Sequence, residues 1–81
     1  MRYEMLKFNR IRNLRIDKEY SQEFVAKELH IAQNTLSQYE TGERRIPGEV
    51  LAQLAIFYGT SVDYLLDLTD DPTPYPRKRT K

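Results

Sequence analysis

The chain has 81 residues, 40% hydrophobic and 31% charged, which fits one small water-soluble globular domain. A fold of that size hides only about 60–65% of the surface its unfolded chain exposes, and the absence of cysteine excludes disulfide staples and thiolate metal sites. The net charge of +1 is too small to argue for nucleic acid, and a single histidine, His30, cannot build a metal site alone.

Charge is distributed unevenly. Residues 1–20 hold six basic and three acidic side chains, residues 59–71 hold four acidic and no basic ones, and the end of the chain carries Arg77, Lys78, Arg79 and Lys81. No apolar run approaches the ~20 residues of a membrane span, and Arg2, Glu4, Lys7 and Arg10 interrupt any signal core. A cytoplasmic protein without membrane association is expected.

In chain order, apolar residues recur at spacings of three and four, and nothing alternates as a strand would. Met5, Phe8, Ile11, Leu14 and Ile16 predict a first helix over about residues 3–17. Ser21 is a good N-cap for a second helix that carries Phe24, Val25 and Leu29. A third runs over about 33–40 with Leu36 and Tyr39 apolar, and Gly42 supplies the left-handed residue that ends it. Pro47 suits the first turn of a fourth helix carrying Val50, Leu51, Leu54, Ala55 and Tyr58, which stops at Gly59. Ser61 caps a fifth with Val62, Leu65 and Leu66 apolar and Asp63 favourable to the helix dipole. Three prolines within residues 72–76 then exclude a helix, so residues 69–81 read as a flexible, Pro-rich basic tail after a domain over 1–68. Deleting residues 72–81 is expected to change stability little.

The function-bearing segment is 22–41. Two helices joined only by His30, Ile31 and Ala32 must cross sharply, which is helix-turn-helix geometry, and Ala26 is small enough for the second helix to approach. Turning the third helix by about 100° per residue puts Leu36 and Tyr39 on one side and Gln33, Asn34, Ser37 and Gln38 on the other. An ordinary solvated face carries Lys and Glu in pairs. Three amides and a hydroxyl instead suit base edges, since amides bond adenine at N6 and N7.

The stretch 20–26, Leu29, and 35–42 (Thr-Leu-Ser-Gln-Tyr-Glu-Thr-Gly) resembles the Cro and phage-repressor-type helix-turn-helix regulators, the XRE family. Leu51–Ala55 and Tyr58–Leu66 resemble the fourth and fifth helices of the same domain. The resemblance covers about residues 9–68 and implies an all-α, five-helix, lambda-repressor-like domain. By the same resemblance Gln33, Asn34 and Gln38 face bases, with Ser37 beside them. Gln22, Thr41, Gly42, Arg44 and Arg45 hold the DNA backbone, and Arg15 pairs with Glu40 as a structural ion pair. His30 stands where the family often has glycine, and Ala32 where it favours a Ser or Thr cap. The first implies a strained turn residue, the second a start of the recognition helix without a side-chain cap.

Tyr39, Tyr58 and Tyr64 sit at core spacings. Tyr64, Leu65 and Leu68 are candidates for a dimer contact. Nothing supports catalysis: no nucleophile has a base beside it, no glycine-rich phosphate cradle occurs, and neither metal nor cofactor is expected. The expected activity is sequence-specific binding of a double-stranded DNA operator by a homodimer, with repression by promoter occlusion, since the chain is short for a separate sensor domain. Two alternatives are an antitoxin-like regulator, engaging a partner protein through the tail, and an interaction module that keeps the fold without binding DNA.

Overall fold

Ser21 and Ser61 hold their helices by the same bond. Ser21 Oγ accepts from the Phe24 amide at 3.0 Å and Ser61 Oγ from the Tyr64 amide at 3.1 Å. Each satisfies one of the amides that a helix start leaves without an internal partner. The computed structural model describes residues 10–76. Five helices follow in order: α1 (Ile11–Asp17), α2 (Gln22–Glu28), α3 (Gln33–Thr41), α4 (Gly48–Tyr58) and α5 (Val62–Leu65). The stretch of the first helix expected before residue 10, with Met5 and Phe8, lies outside the described residues. Pro47 stands just before α4 rather than within its first turn, where its carbonyl accepts from the Val50 and Leu51 amides at 3.0 Å. The last helix is a single turn.

Every helix stops at or just before a residue in the left-handed region, and only two of the five are glycine: Gly42 and Gly59, against Glu19, His30 and Asp67. Four ends share one hydrogen-bond pattern. After α2, for example, the His30 amide reaches the Lys27 carbonyl at 3.2 Å and the Ile31 amide reaches Ala26 at 3.0 Å. The same pair of bonds closes α1 through Tyr20 to Arg15, α4 through Thr60 to Ala55, and α5 through Leu68 to Asp63. This is the Schellman arrangement, which satisfies otherwise orphaned carbonyls. A side chain in that conformation costs about 1–2 kcal/mol, partly offset by the greater freedom of glycine in the unfolded chain, worth about 0.5–1 kcal/mol. His30→Gly is therefore expected to stabilise the fold by about 0.5 kcal/mol, read as a higher urea midpoint. A lower midpoint would show that the imidazole makes a contact outweighing its backbone strain.

The core draws on all five helices: Ile11 from α1, Val25 and Ala26 from α2, Leu36 and Tyr39 from α3, Leu54, Ala55 and Tyr58 from α4, and Leu65 from α5, with Leu29 beside them. The apolar spacing identified these positions, with two exceptions. Ile16 is 46% exposed, and Phe24 lies at the surface, tilted against Tyr20 and Phe57 at centroid distances of 5.0 and 6.4 Å. Leu65 is 0% exposed. It is filled around by this chain's own core and has no surface to offer a second protomer, which corrects its assignment as a dimer contact. Tyr64 is half-buried beneath the Arg10 guanidinium, 4.1 Å from ring centroid to Cζ, and Leu68 is 44% exposed.

Residues 69–76, which the prolines suggested would be a flexible tail whose loss changes stability little, lie against the body. The buried Thr60 hydroxyl donates to the Pro72 carbonyl at 2.8 Å, and the Tyr75 hydroxyl donates to Asp63. Pro74, Tyr75 and Pro76 form one wall of an apolar groove whose other walls are Ala52, Ala55, Ile56 and Val62. Proline rings lose little entropy on docking, and the extended backbone leaves its carbonyls free to accept. The basic cluster of Arg77, Lys78, Arg79 and Lys81 lies outside the described residues.

The two ends of the described chain meet at Arg10. Its amide donates to the Leu65 carbonyl at 2.9 Å, and its guanidinium bonds Asp67 and reaches Asp70 at 3.0 Å. The carboxylates of Asp67 and Asp70 hold the Arg10 pKa above its ordinary value.

Candidate nucleic-acid interface

α2 and α3 pack against each other across a link of four residues, 29–32. Val25 and Ala26 on one helix face Leu36 and Tyr39 on the other, and the 2% exposure of Ala26 shows how closely the helices approach. The left-handed turn at His30 redirects the chain between them. Ala32 precedes α3 in extended conformation with no side-chain cap, as its identity requires. Its carbonyl accepts from the Leu36 amide at 3.1 Å, so the first turn closes on backbone alone.

One carboxylate organises the outer face of this helix pair. Glu40, its side chain 2% exposed, accepts from Arg15 Nε at 2.7 Å and from Arg15 Nη2 at 3.1 Å. The fork geometry gives two parallel charge-assisted bonds. Arg15 Nη1 also donates to the Tyr20 carbonyl at 3.0 Å. The bond to Glu40 raises the Arg15 pKa, and burial, reinforced by the Glu40 charge, pushes the Tyr58 phenol up to about 12. The Arg15 guanidinium thus stays charged and the Tyr58 phenol neutral across the physiological range.

That pair reaches the surface through amides. Gln22 Nε2 donates to Glu40 Oε1 at 3.0 Å, and Gln33 Nε2 points back to Gln22 Oε1 at 3.5 Å. Gln22, Gln33, Asn34 and Ser37 then line one shallow depression between the start of α2 and the start of α3. It carries no charged side chain. Each group offers a donor and an acceptor, which is the equipment that distinguishes base edges in a major groove.

Helix-turn-helix sequences match this chain over residues 11–65, spanning all five helices. The chain belongs to the helix-turn-helix family, XRE type. Among its relatives are the uncharacterized HTH-type transcriptional regulator YobD of Bacillus subtilis, 40% identical over 80% of this chain and 58% of its own, and the HTH-type transcriptional regulator AnsR of the same organism, 39% identical over 75% and 53%. The cryptic phage CTXphi transcriptional repressor RstR of Vibrio cholerae is 34% identical over 72% of this chain and 52% of its own. The chain thus spans about half the length of these relatives. No solved structure matches it.

Within this helix-turn-helix domain the expected base-facing residues are not equivalent. Gln33 and Asn34 are exposed, Ser37 is half-buried in the depression, and Gln38 lies outside it. The Gln38 side-chain oxygen is enclosed and has no hydrogen-bond partner among the described residues, an arrangement that costs about 1–3 kcal/mol until the amide turns outward. The expected backbone-holding residues divide as well. Gln22 spends its side chain on Glu40 and Gln33. Gly42 ends α3 at φ 83°, and the Arg44 amide closes the following loop onto the Gln38 carbonyl at 3.2 Å. The side chains of Arg44 and Arg45 are exposed and form no ion pair with a described residue. Sequence reasoning missed that a single carboxylate serves both Arg15 and Gln22. The family resemblance paired Arg15 with Glu40, but nothing in the position of Gln22 along the chain reveals that its side chain meets the same carboxylate.

Among the described residues, no group of His, Asp and Glu side chains is arranged to hold a metal ion, and no helix is long and apolar enough to cross a membrane.

Proposed function

We propose that this chain regulates transcription, most simply as a repressor, by docking α3 in the major groove of a double-stranded operator. The observation that carries this reading is the uncharged depression of Gln22, Gln33, Asn34 and Ser37 at the start of α3, with two exposed arginines, unpaired among the described residues, in the loop that follows the helix. Gln33, Asn34 and Ser37 read base edges, and Gln38 joins them by turning its enclosed amide outward. Gln22, Thr41, Gly42, Arg44 and Arg45 hold phosphates and set the register, a division of labour general to groove-reading proteins. Gln22 has a second task, because its side chain orients Gln33 from below.

The protein acts as a homodimer in the cytoplasm on two half-sites, with recognition helices about 34–36 Å apart. Tyr64 and Leu68 supply surface for that contact. RstR, named a repressor, supports repression by analogy.

Selection from a random duplex pool, with wild type and a Gln33→Ala, Asn34→Ala double variant, tests the reading. Wild type should enrich a motif whose spacing reports dimer geometry. Each single change should relax discrimination at one or two base positions by about 1–3 kcal/mol. If wild type enriches nothing at moderate salt, or the double variant enriches the same motif, α3 is not the reader.

A further inference from the structure

The loop after α3, residues 42–46, combines Arg44 and Arg45 with one carboxylate, Glu43, all three exposed. The carboxylate pairs with neither arginine. Glu43 Oε1 instead lies 3.2 Å from the Thr41 hydroxyl, and the Glu43 amide donates to Thr41 Oγ1 at 3.4 Å. The same hydroxyl is 3.2 Å from the Gln38 carbonyl, so its single proton has two acceptors within reach.

Thr41 is one of the residues assigned above to a DNA phosphate, and that assignment is the ground on which the following inference rests. A carboxylate and a phosphodiester oxygen are both anionic acceptors and cannot take one hydroxyl proton together. We propose that Glu43 is an intramolecular stand-in for a DNA phosphate. It occupies the Thr41 hydroxyl in the free protein and is displaced when the backbone docks, so it acts as a brake on DNA affinity. Phosphate contacts carry no sequence information, so the brake acts equally on operator and non-operator duplexes. It lowers the time the protein spends bound to the wrong DNA while leaving its preference intact.

The test is fluorescence anisotropy of wild type, E43Q and E28Q on the selected operator and on a scrambled duplex, across about 50–300 mM salt. Glu28 is an exposed carboxylate near the end of α2, beside His30 and Phe57, so E28Q makes the same change in net charge elsewhere. E43Q should bind both duplexes about three- to fivefold tighter at the lowest salt, the scale of one exposed charge interaction, and the gain should shrink as salt rises. E28Q should change either affinity by less than about twofold. In a T41V background the E43Q gain should fall to that of E28Q, because the hydroxyl through which the carboxylate acts is gone. Wild type that binds DNA together with E43Q no tighter than E28Q overturns the brake alone. So does a gain that survives T41V, which would make it a general charge effect. Wild type that binds no duplex at all overturns the DNA-reading function and the brake with it.

Discussion

Glu40→Gln should lower the melting temperature by more than any surface substitution in this protein. The change keeps the shape of the side chain and removes the charge that faces Arg15 at 2.7 Å, leaving a guanidinium whose side chain is only 13% exposed. Removing one member of a buried pair costs about 3–5 kcal/mol, because the remaining charge has lost water as well as its partner. The partial exposure of Arg15 favours the lower end. In a domain this small, 1 kcal/mol moves the midpoint by about 4–8 °C, so a fall of roughly 12–25 °C is expected in a circular dichroism melt. A double variant, Arg15→Met with Glu40→Met, should recover much of the loss, since apolar groups of similar volume often replace a buried pair at no net cost. A melt of Glu40→Gln within about 3 °C of wild type would mean that water already reaches the pair. The single oxygen left at position 40 would have to serve both Arg15 and Gln22, so base discrimination at Gln33 should weaken even at temperatures where the variant stays folded.

The second large effect separates two leucines only three residues apart. Leu65→Ala should destabilise the domain by about 2–5 kcal/mol, the range for truncating an enclosed leucine, because its side chain is 0% exposed and its neighbours cannot collapse fully into the space. Leu68→Ala, at 44% exposure, should leave the stability of the monomer within about 0.5 kcal/mol. It should instead weaken self-association in sedimentation velocity if that surface meets a second protomer. Equal stability losses from both substitutions would mean that Leu68 is covered by the described chain's own neighbouring segments.

These two leucines show where the sequence is informative and where it is not. Spacing of three and four identifies which residues are apolar on a helix, and it placed all five elements together with the Ser21 and Ser61 caps and the Gly42 and Gly59 stops. It does not identify what each face turns toward when a helix is one turn long, and α5 is that short. Leu65 and Leu68 therefore looked alike. The left-handed residues divide in the same way. Glycine announces itself, and His30 was exposed by its departure from a family pattern, but Glu19 and Asp67 have ordinary surface identities. Their backbone is set by what the neighbouring helices bury, a tertiary cause without a local signature. The docking of residues 69–76 was illegible for a related reason: extended proline-rich segments have no hydrophobic period, and the partners of Thr60 and Tyr75 lie twelve residues from each. In the candidate interface, the residues of the reading face were legible from helix geometry and family resemblance. The resemblance also supplied the pairing of Arg15 with Glu40, but the continuation from Glu40 through Gln22 to Gln33 was not legible, because it runs between side chains on two helices.

The closure at Arg10 bears on the order in which the protein can be made. The residue that starts α1 is held by the Leu65 carbonyl and by carboxylates at 67 and 70, more than fifty positions further along. During synthesis, α2 and α3 can meet as soon as both have left the ribosome, since their contacts are local. Arg15 can already reach Glu40 at that stage, but the start of α1 lacks its Arg10 contacts until residue 70 has emerged. Contacts of such long sequence separation are formed late and tie the last part of the chain into a single cooperative unit with the first. Arrested nascent chains with residue 70 still inside the ribosome or already outside it should therefore differ in protease resistance at the start of α1 and little at α3.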